Sequence, residues 1–170
     1  MTLLTPYLKL ESVRLDLDIA SQKRLFEEAS LAFERAYGVP HDEAFAALMD
    51  RERIGSNPRR ARERTAPPAV GHGCAVPHGR LSDLDSPAIV FLRTLTPLKV
   101  SAPDNLGVQL FFAILVPAEN PGDHLALLRE TAGIFGDEKT REALLRAPDA
   151  MSFLEILSQW SPGSESEKLS

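Results

Sequence analysis

The chain has 170 residues, 44% of them hydrophobic, which suffices for the core of one domain and is short for two. Its 19 basic and 24 acidic residues give a net charge of −5, which argues against general affinity for nucleic acids or anionic membranes and favours proteins or small molecules as partners. The single cysteine excludes an intramolecular disulfide, and no apolar run of bilayer length or secretion signal is seen, so we expect a cytoplasmic protein.

The first third of the chain is predicted to be helical. Residues 21–38 repeat apolar side chains at helical spacing, with Ser21 as a candidate N-cap and Gly38 as the stop. The same spacing predicts a second helix over residues 41–53. Three prolines and four closely spaced arginines follow within residues 54–69, and they predict an exposed loop.

The rest of the chain changes first to strands and then back to helices. Short apolar runs rich in Val, Ile and Phe predict buried strands at 70–76, 88–94 and 108–116. Helical spacing returns at 124–135 and again after Asp137 and Asp149, which are candidate N-caps. This order predicts an α/β fold, with a single-domain mixed β-sheet flanked by α-helices on both faces.

The segment around His78 is the most informative one for function. It reads GHGCAVPHGR; Pro77 fixes the backbone before the histidine and Gly79 is expected to let the chain turn after it, at the end of a rigid strand. A neutral imidazole is well populated near pH 7 and is a good nucleophile, as a phosphoryl acceptor must be. Phosphoryl transfer also needs cations or N–H donors around the phosphate oxygens. Nearby candidates are Arg80, the loop arginines and the backbone amides around Gly71 and Gly73.

The same segment resembles the active-site signature of the fructose/mannitol-type enzyme IIA domains of the bacterial phosphotransferase system, G-[IL]-G-x-G-[VI]-A-[IV]-P-H-[GA]. Upstream, residues 45–56 (FAALMDRERIGS) resemble the family stretch F-x-x-L…R-E-x-[LI]-G-S. Downstream, residues 110–128 (LFFAILVPAENPGDHLALL) resemble its apolar strand, its V-P and the H-L that opens a helix. The likeness covers roughly residues 3–160 and is closest to the nitrogen-type, regulatory enzyme IIA.

This resemblance implies a role for several residues. His78 would be the phosphorylated residue, through its Nε2, and His124 matches the second active-site histidine, which would hydrogen-bond the phosphoryl group. Arg51 matches the arginine expected to neutralise phosphate oxygens in a forked contact. Ser56 matches the serine of the same stretch and is a further phosphate-binding candidate. His72 falls on a variable position and would line the rim of the pocket.

Residues 58–68 (PRRARERTAPP) look inserted relative to the family. Arg62 competes with Arg51, because it stands sixteen residues before His78, the family spacing without an insertion. In that register the family's G-S-T becomes Ala66-Pro67-Pro68, which lacks a hydroxyl and two backbone N–H donors. We therefore prefer Arg51 and keep Arg62 as the alternative.

The resemblance implies a phosphorelay protein more than a multiple-turnover enzyme: it would take a phosphoryl group from a histidine phosphocarrier protein and regulate target proteins according to its phosphorylation state. We expect an enzyme IIA domain over 1–160 and a polar tail over 161–170, with no cofactor and no membrane insertion. The alternatives are a sugar-transport enzyme IIA that passes the group to a IIB component, and a binding module in which His78 is inert. A metal site has the least support, because the histidines lack a nearby carboxylate pair and no Cys or His spacing fits zinc.

Overall fold

The structure is a computed structural model that describes residues 4–56, 69–71, 73–98, 107–119 and 125–160, with the backbone alone for 51–56 and 69–71. Two short 3-10 turns come first, at Thr5–Tyr7 and Leu10–Ser12. The helices are α1 (Gln22–Tyr37), α2 (His41–Ser56), α3 (Leu125–Gly136), α4 (Glu138–Arg146) and α5 (Ala150–Gln159). The strands are β1 (Val13–Leu17), β2 (Ala69–Gly71), β3 (Cys74–Ala75), β4 (His78–Leu81), β5 (Ala88–Leu98) and β6 (Val108–Pro117).

These strands form one mixed sheet in the order β1-β5-β6-β3-β2, with β4 also paired to β6. The pairs β1–β5, β3–β6 and β4–β6 are parallel, whereas β5–β6 and β2–β3 are antiparallel. Strands β3 and β4 follow each other along the same edge of β6, at Leu110–Phe111 and at Ile114–Pro117. The predicted mixed sheet is confirmed.

Helices cover both faces of the sheet. Residues 88–92 of β5 and 110–116 of β6 are apolar and buried, and successive residues point to opposite faces. Val90, Leu92 and Phe111 pack in the core beneath α1 and α2. Phe91 and Phe112 pack in the other core, beneath α3, α4 and α5. The predicted flanking of the sheet on both faces is therefore confirmed.

Local capping signals set the bounds of several helices. Ser21 Oγ accepts a hydrogen bond from the Arg24 N–H at 3.2 Å, and Gly38 closes α1 in the left-handed region with φ of 72°. Asp149 caps α5 in the same way by accepting from the Ser152 N–H at 2.8 Å. Asp137 occupies the N-cap position of α4, but its carboxylate accepts from the Thr140 hydroxyl and from no backbone N–H of that helix.

Several predicted bounds differ from the structure. The helix predicted over 41–53, with its end near Gly55, continues to Ser56, so residues 54–56 are helical rather than part of the loop. The run 70–76 is two short antiparallel strands rather than one strand, with Gly73 at φ of 80° between them. The segment 58–68 lies outside the described residues.

A buried arginine connects β5 to the C-terminal helices, and the sequence pattern did not reveal it. Arg93 donates through Nη1 to the carbonyls of Leu144 and Ala147, both at 2.8 Å, and through Nη2 to the Asp16 carboxylate at 2.9 Å. The two carbonyls belong to the C-terminal end of α4, where helical partners are missing. Arg93 thus satisfies the end of α4 and holds it against the sheet.

We expect Arg93→Met to lower the free energy of unfolding by about 2–4 kcal/mol, because it leaves two buried carbonyls without a donor. The lost contact to Asp16 contributes little, since that side chain is 58% exposed. Urea unfolding followed by circular dichroism measures the change. Arg129→Met is the matched control, because Arg129 is exposed on α3. Equal stability of the two variants would contradict this role of Arg93.

Candidate functional site

His78 is the first residue of β4 and is half-buried. It lies opposite Ile114 of β6, and the carbonyl of the preceding Pro77 accepts the Ile114 N–H at 2.9 Å. The sequence placed this histidine at the end of a strand; it instead begins one. The backbone on either side of the ring is therefore fixed by pairing with a buried central strand.

The imidazole of His78 is oriented by its own backbone. Nδ1 lies 3.0 Å from the carbonyl oxygen of Val76. A carbonyl oxygen only accepts hydrogen bonds, so in the neutral ring Nδ1 carries the hydrogen and donates it. The lone pair of the neutral ring is then on Nε2. This hydrogen bond selects the tautomer in which Nε2 is the nucleophilic nitrogen.

In this chain packing, and not a turn, accounts for the glycine at position 79. A Cβ built on Gly79 would lie 2.6 Å from the carbonyl oxygen of Ala47 and 2.8 Å from its carbonyl carbon. The residue continues β4, opposite Leu115 of β6. The expectation that the chain turns here was wrong: the absent side chain lets the backbone of α2 rest directly on β4.

His78 and Gly79 face opposite sides of the sheet, because side chains alternate along a strand. Gly79 faces α2, whereas His78 shares the side of Ile114, which packs beneath α3, α4 and α5. Arg80 is exposed. By the same alternation Arg80 lies on the side of His78, two residues along β4.

Several predicted site residues are described only by their backbone or not at all. Arg51 lies in α2, one helical turn beyond Ala47, and Ser56 is the last residue of that helix. His124, Arg62 and His72 lie outside the described residues. His124 directly precedes α3, whose buried residues belong to the same core as Ile114.

The strand register argues against the two upstream glycines as phosphate contacts. Cys74 pairs with Leu110 and His78 with Ile114, so the two residues are four positions apart along β6. Four positions of strand span about 13 Å. Gly71 pairs with Cys74, Gly73 directly precedes it, and the Gly73 carbonyl accepts the Gln109 N–H at 3.0 Å. The two glycines therefore lie near Leu110 in the sheet register whereas His78 lies opposite Ile114, and their part in binding a phosphoryl group stays a prediction.

We do not expect the fourth histidine, His41, to take part in phosphoryl transfer. His41 is exposed at the start of α2, and its Nδ1 lies 3.0 Å from the Glu34 carboxylate. The hydrogen bond to Glu34 raises the pKa of His41 above its ordinary value. This contact favours a protonated ring, so His41 is a poor nucleophile and a useful control.

Sequence reasoning missed two backbone partners of the site, the carbonyl of Val76 and that of Ala47. Val76 lies inside the segment GHGCAVPHGR, and Ala47 lies between the buried Ala44 and Leu48 in the predicted second helix. Neither pattern says what a carbonyl oxygen contacts.

Among the described helices, none combines the length and the apolar character needed to cross a bilayer.

Comparison with known proteins adds independent evidence. The family model for EIIA 2 of the phosphoenolpyruvate-dependent sugar phosphotransferase system matches residues 60–160. This range includes His78, Arg80, Arg62 and His124, whereas Arg51 precedes it. The nitrogen regulatory protein of Klebsiella oxytoca is 30% identical over 163 residues, which cover 95% of this chain and 94% of that protein.

Solved structures agree with the sequence comparison. The crystal structure of the nitrogen regulatory protein IIA-Ntr from Neisseria meningitidis superposes with a TM-score of 0.79 at 36% identity, and the match covers 92% of this chain and 99% of that one. IIA mannitol from Escherichia coli shares the fold, with a TM-score of 0.68 at 20% identity over 88% of this chain and 97% of that one. The chain therefore belongs to the EIIA 2 family of the phosphotransferase system, and is similar to its nitrogen regulatory members.

Proposed function

We propose that this chain is a regulatory IIA protein that accepts a phosphoryl group on Nε2 of His78 from a histidine phosphocarrier protein. Proteins of the family act in phosphorelays with other components of the phosphotransferase system. The observation that carries the proposal is the 3.0 Å contact from His78 Nδ1 to the Val76 carbonyl, because it leaves the lone pair on Nε2. The regulatory assignment rests on the likeness to nitrogen regulatory proteins over nearly the whole chain.

The proposed step is one in-line transfer. The lone pair of His78 Nε2 attacks the phosphorus of the donor's phosphohistidine, and the donor's P–N bond breaks with its electron pair returning to the donor ring. The protein contributes position and electrostatic stabilisation more than covalent chemistry. The Val76 carbonyl continues to accept from Nδ1–H, so it also stabilises the cationic character that the ring gains as the new bond forms.

Groups around the imidazole would bind the transferred phosphoryl. Arg51 is proposed as the neutralising cation, supported by its place one turn beyond the Ala47 contact with β4. His124 is proposed as a hydrogen-bond donor, supported by its position directly before α3. Arg80, Ser56, the alternative Arg62 and the backbone amides of Gly71 and Gly73 remain candidates, and the two glycines have the least support because they lie near Leu110 in the sheet register whereas His78 lies opposite Ile114.

Phosphorylation would change which proteins bind this face. It adds about −1.5 to −2 charge at pH 7. This charge is enough to make binding unfavourable for a partner that prefers a neutral or cationic surface. We accordingly propose target proteins as the output of the relay, a cytoplasmic location, and one domain over 1–160 that carries an inserted segment at 58–68 and a polar tail at 161–170.

The rival function is sugar transport, which the shared fold with IIA mannitol keeps open. The two functions separate in one experiment: the phosphorylated chain is offered a sugar-specific IIB protein, and transfer is followed with labelled phosphate. We expect stable phospho-protein and no transfer, together with a target protein that distinguishes the two states. Rapid and complete transfer to a IIB protein would instead assign this chain to sugar uptake.

We expect His124→Ala to slow phosphorylation about tenfold while His78 remains the labelled residue. Losing one hydrogen bond to a charged group costs about 1.5 kcal/mol, which corresponds to that factor. Single-turnover rates with labelled phosphocarrier protein give the effect, and peptide mapping gives the site. A wild-type rate would make His124 a surface residue without a part in transfer.

A further inference from the structure

The tightest contact next to His78 is made by a residue with no side chain. A Cβ on Gly79 would also lie 3.1 Å from Ala47 Cβ, besides its short approaches to the Ala47 backbone. Backbone atoms of a helix do not move aside as a flexible side chain does. Gly79 is not among the described residues with positive φ, so in this chain the close approach of Ala47, and not backbone conformation, disfavours a side chain at this position.

This contact fixes how far α2 lies from the strand that carries His78. His78 faces the side of the sheet opposite α2. Within the described part of the chain β4 pairs with β6 alone, so the outer edge of β4 is the short way from α2 to the imidazole. Any group on α2 that serves His78 must therefore reach around that edge, and its reach depends on the separation of α2 and β4.

Arg51 is the group on α2 for which this separation matters. Its backbone lies four residues after Ala47, on the same face of the helix, about 6 Å along the axis. A shift of α2 away from β4 carries Arg51 with it. Electrostatic stabilisation of a phosphoryl group falls steeply when the cation is displaced, because the forked contact proposed for Arg51 would consist of short hydrogen bonds.

We infer that Gly79 is a positioning residue for phosphoryl transfer: its missing side chain sets the spacing of α2 and β4, and so the position of Arg51 relative to His78. The inference rests on the proposed function. A positioning role would account for the glycine after His78, which backbone conformation does not explain.

The test is Gly79→Ala, which must open the contact from 2.6 Å toward ordinary van der Waals distance at 3.4 Å. We expect the maximal single-turnover rate to fall about tenfold, because misplacement by about 1 Å costs up to 10²-fold. The donor concentration at half-maximal rate should stay unchanged, because Gly79 is buried beneath α2 and the docking surface is intact. A wild-type rate in the folded variant would overturn the inference.

Two further variants separate positioning from general damage. Gly107→Ala creates a comparable clash with Pro97 at the other end of the sheet, so it should lower stability without slowing transfer. If Gly79→Ala fails to fold, Ala47→Val widens the same contact from the helix side and should reproduce the slower rate. An unaltered rate in Ala47→Val would then overturn the inference.

A double-mutant cycle decides whether the effect passes through Arg51. In an Arg51→Ala background, Gly79→Ala should slow the reaction no further, since the cation on α2 whose position depends on the spacing of α2 and β4 is already absent. Independent, multiplicative effects would overturn the inference. The proposed function fails separately: absence of label on the wild-type chain rejects it, whereas labelling at the wild-type rate in Gly79→Ala rejects only the positioning role.

Discussion

His78→Ala is expected to lower phosphoryl incorporation from a labelled histidine phosphocarrier protein by at least about 10³-fold, because the variant has lost the atom that forms the bond to phosphorus. The product in the wild-type protein should be acid-labile and base-stable, as a phosphoramidate on imidazole is. Gel autoradiography after acid and base treatment measures both properties.

The control for this variant is His41→Ala, which removes an exposed imidazole paired with Glu34 and should leave incorporation unchanged. His78→Ala itself should keep its fold, since the backbone pairing of β4 with β6 does not use the ring. Full labelling of the folded His78→Ala variant would remove His78 from the mechanism.

The second largest effect is expected from Arg51→Ala, which should slow single-turnover phosphorylation about 10²-fold, the usual cost of removing one preorganised electrostatic contact. Arg51→Lys should recover part of the rate, because it restores the charge without the fork. Rapid-quench kinetics at saturating donor give the values.

Two arginines serve as controls for Arg51. Arg53 lies two residues after Arg51 in α2 and therefore on another helical face. The phosphorylation rate of Arg53→Ala should therefore stay within about twofold of wild type. Arg62→Ala tests the competing register. A 10²-fold loss in Arg62→Ala with a wild-type rate in Arg51→Ala would move the phosphate cation into the inserted segment.

Local signals were sufficient for much of the fold. The caps at Ser21, Gly38 and Asp149 are contacts between residues close in sequence, so pattern and geometry agree. The central strands were predicted because their apolar runs are buried on both faces. The strand β5 nevertheless continues four residues past the predicted end at Thr94, because after a register shift its buried Leu98 pairs with Val108 of β6.

Tertiary contacts account for the errors. Gly79 looked like a turn glycine, since glycine and histidine are common in turns, and only the position of Ala47 reveals a packing requirement. Arg93 stands in an apolar run, and its partners Leu144 and Asp16 are distant in sequence. The spacing of apolar residues does not indicate that the guanidinium of Arg93 will donate to a carbonyl at the end of a helix 51 residues away.

At the candidate site too, the local sequence predicted some features, whereas others depend on tertiary contacts. The prediction that His78 is the reactive residue came from its segment and from the resemblance of that segment to a family signature. The choice between its two nitrogens depends on a side-chain rotation that brings Nδ1 to the Val76 carbonyl, and a sequence does not encode that angle in any readable pattern. The choice between Arg51 and Arg62 stays a prediction, because two registers fit the family motif around the segment 58–68.

The most direct test of the central claim is nitrogen-15 NMR of the His78 imidazole before and after phosphorylation. We predict that in the neutral, unphosphorylated protein Nδ1 carries the hydrogen and Nε2 does not, as donation to the Val76 carbonyl requires. After phosphorylation, coupling to phosphorus should appear at Nε2 of His78. Coupling at Nδ1, or phosphorus bound to any other residue, would contradict the account.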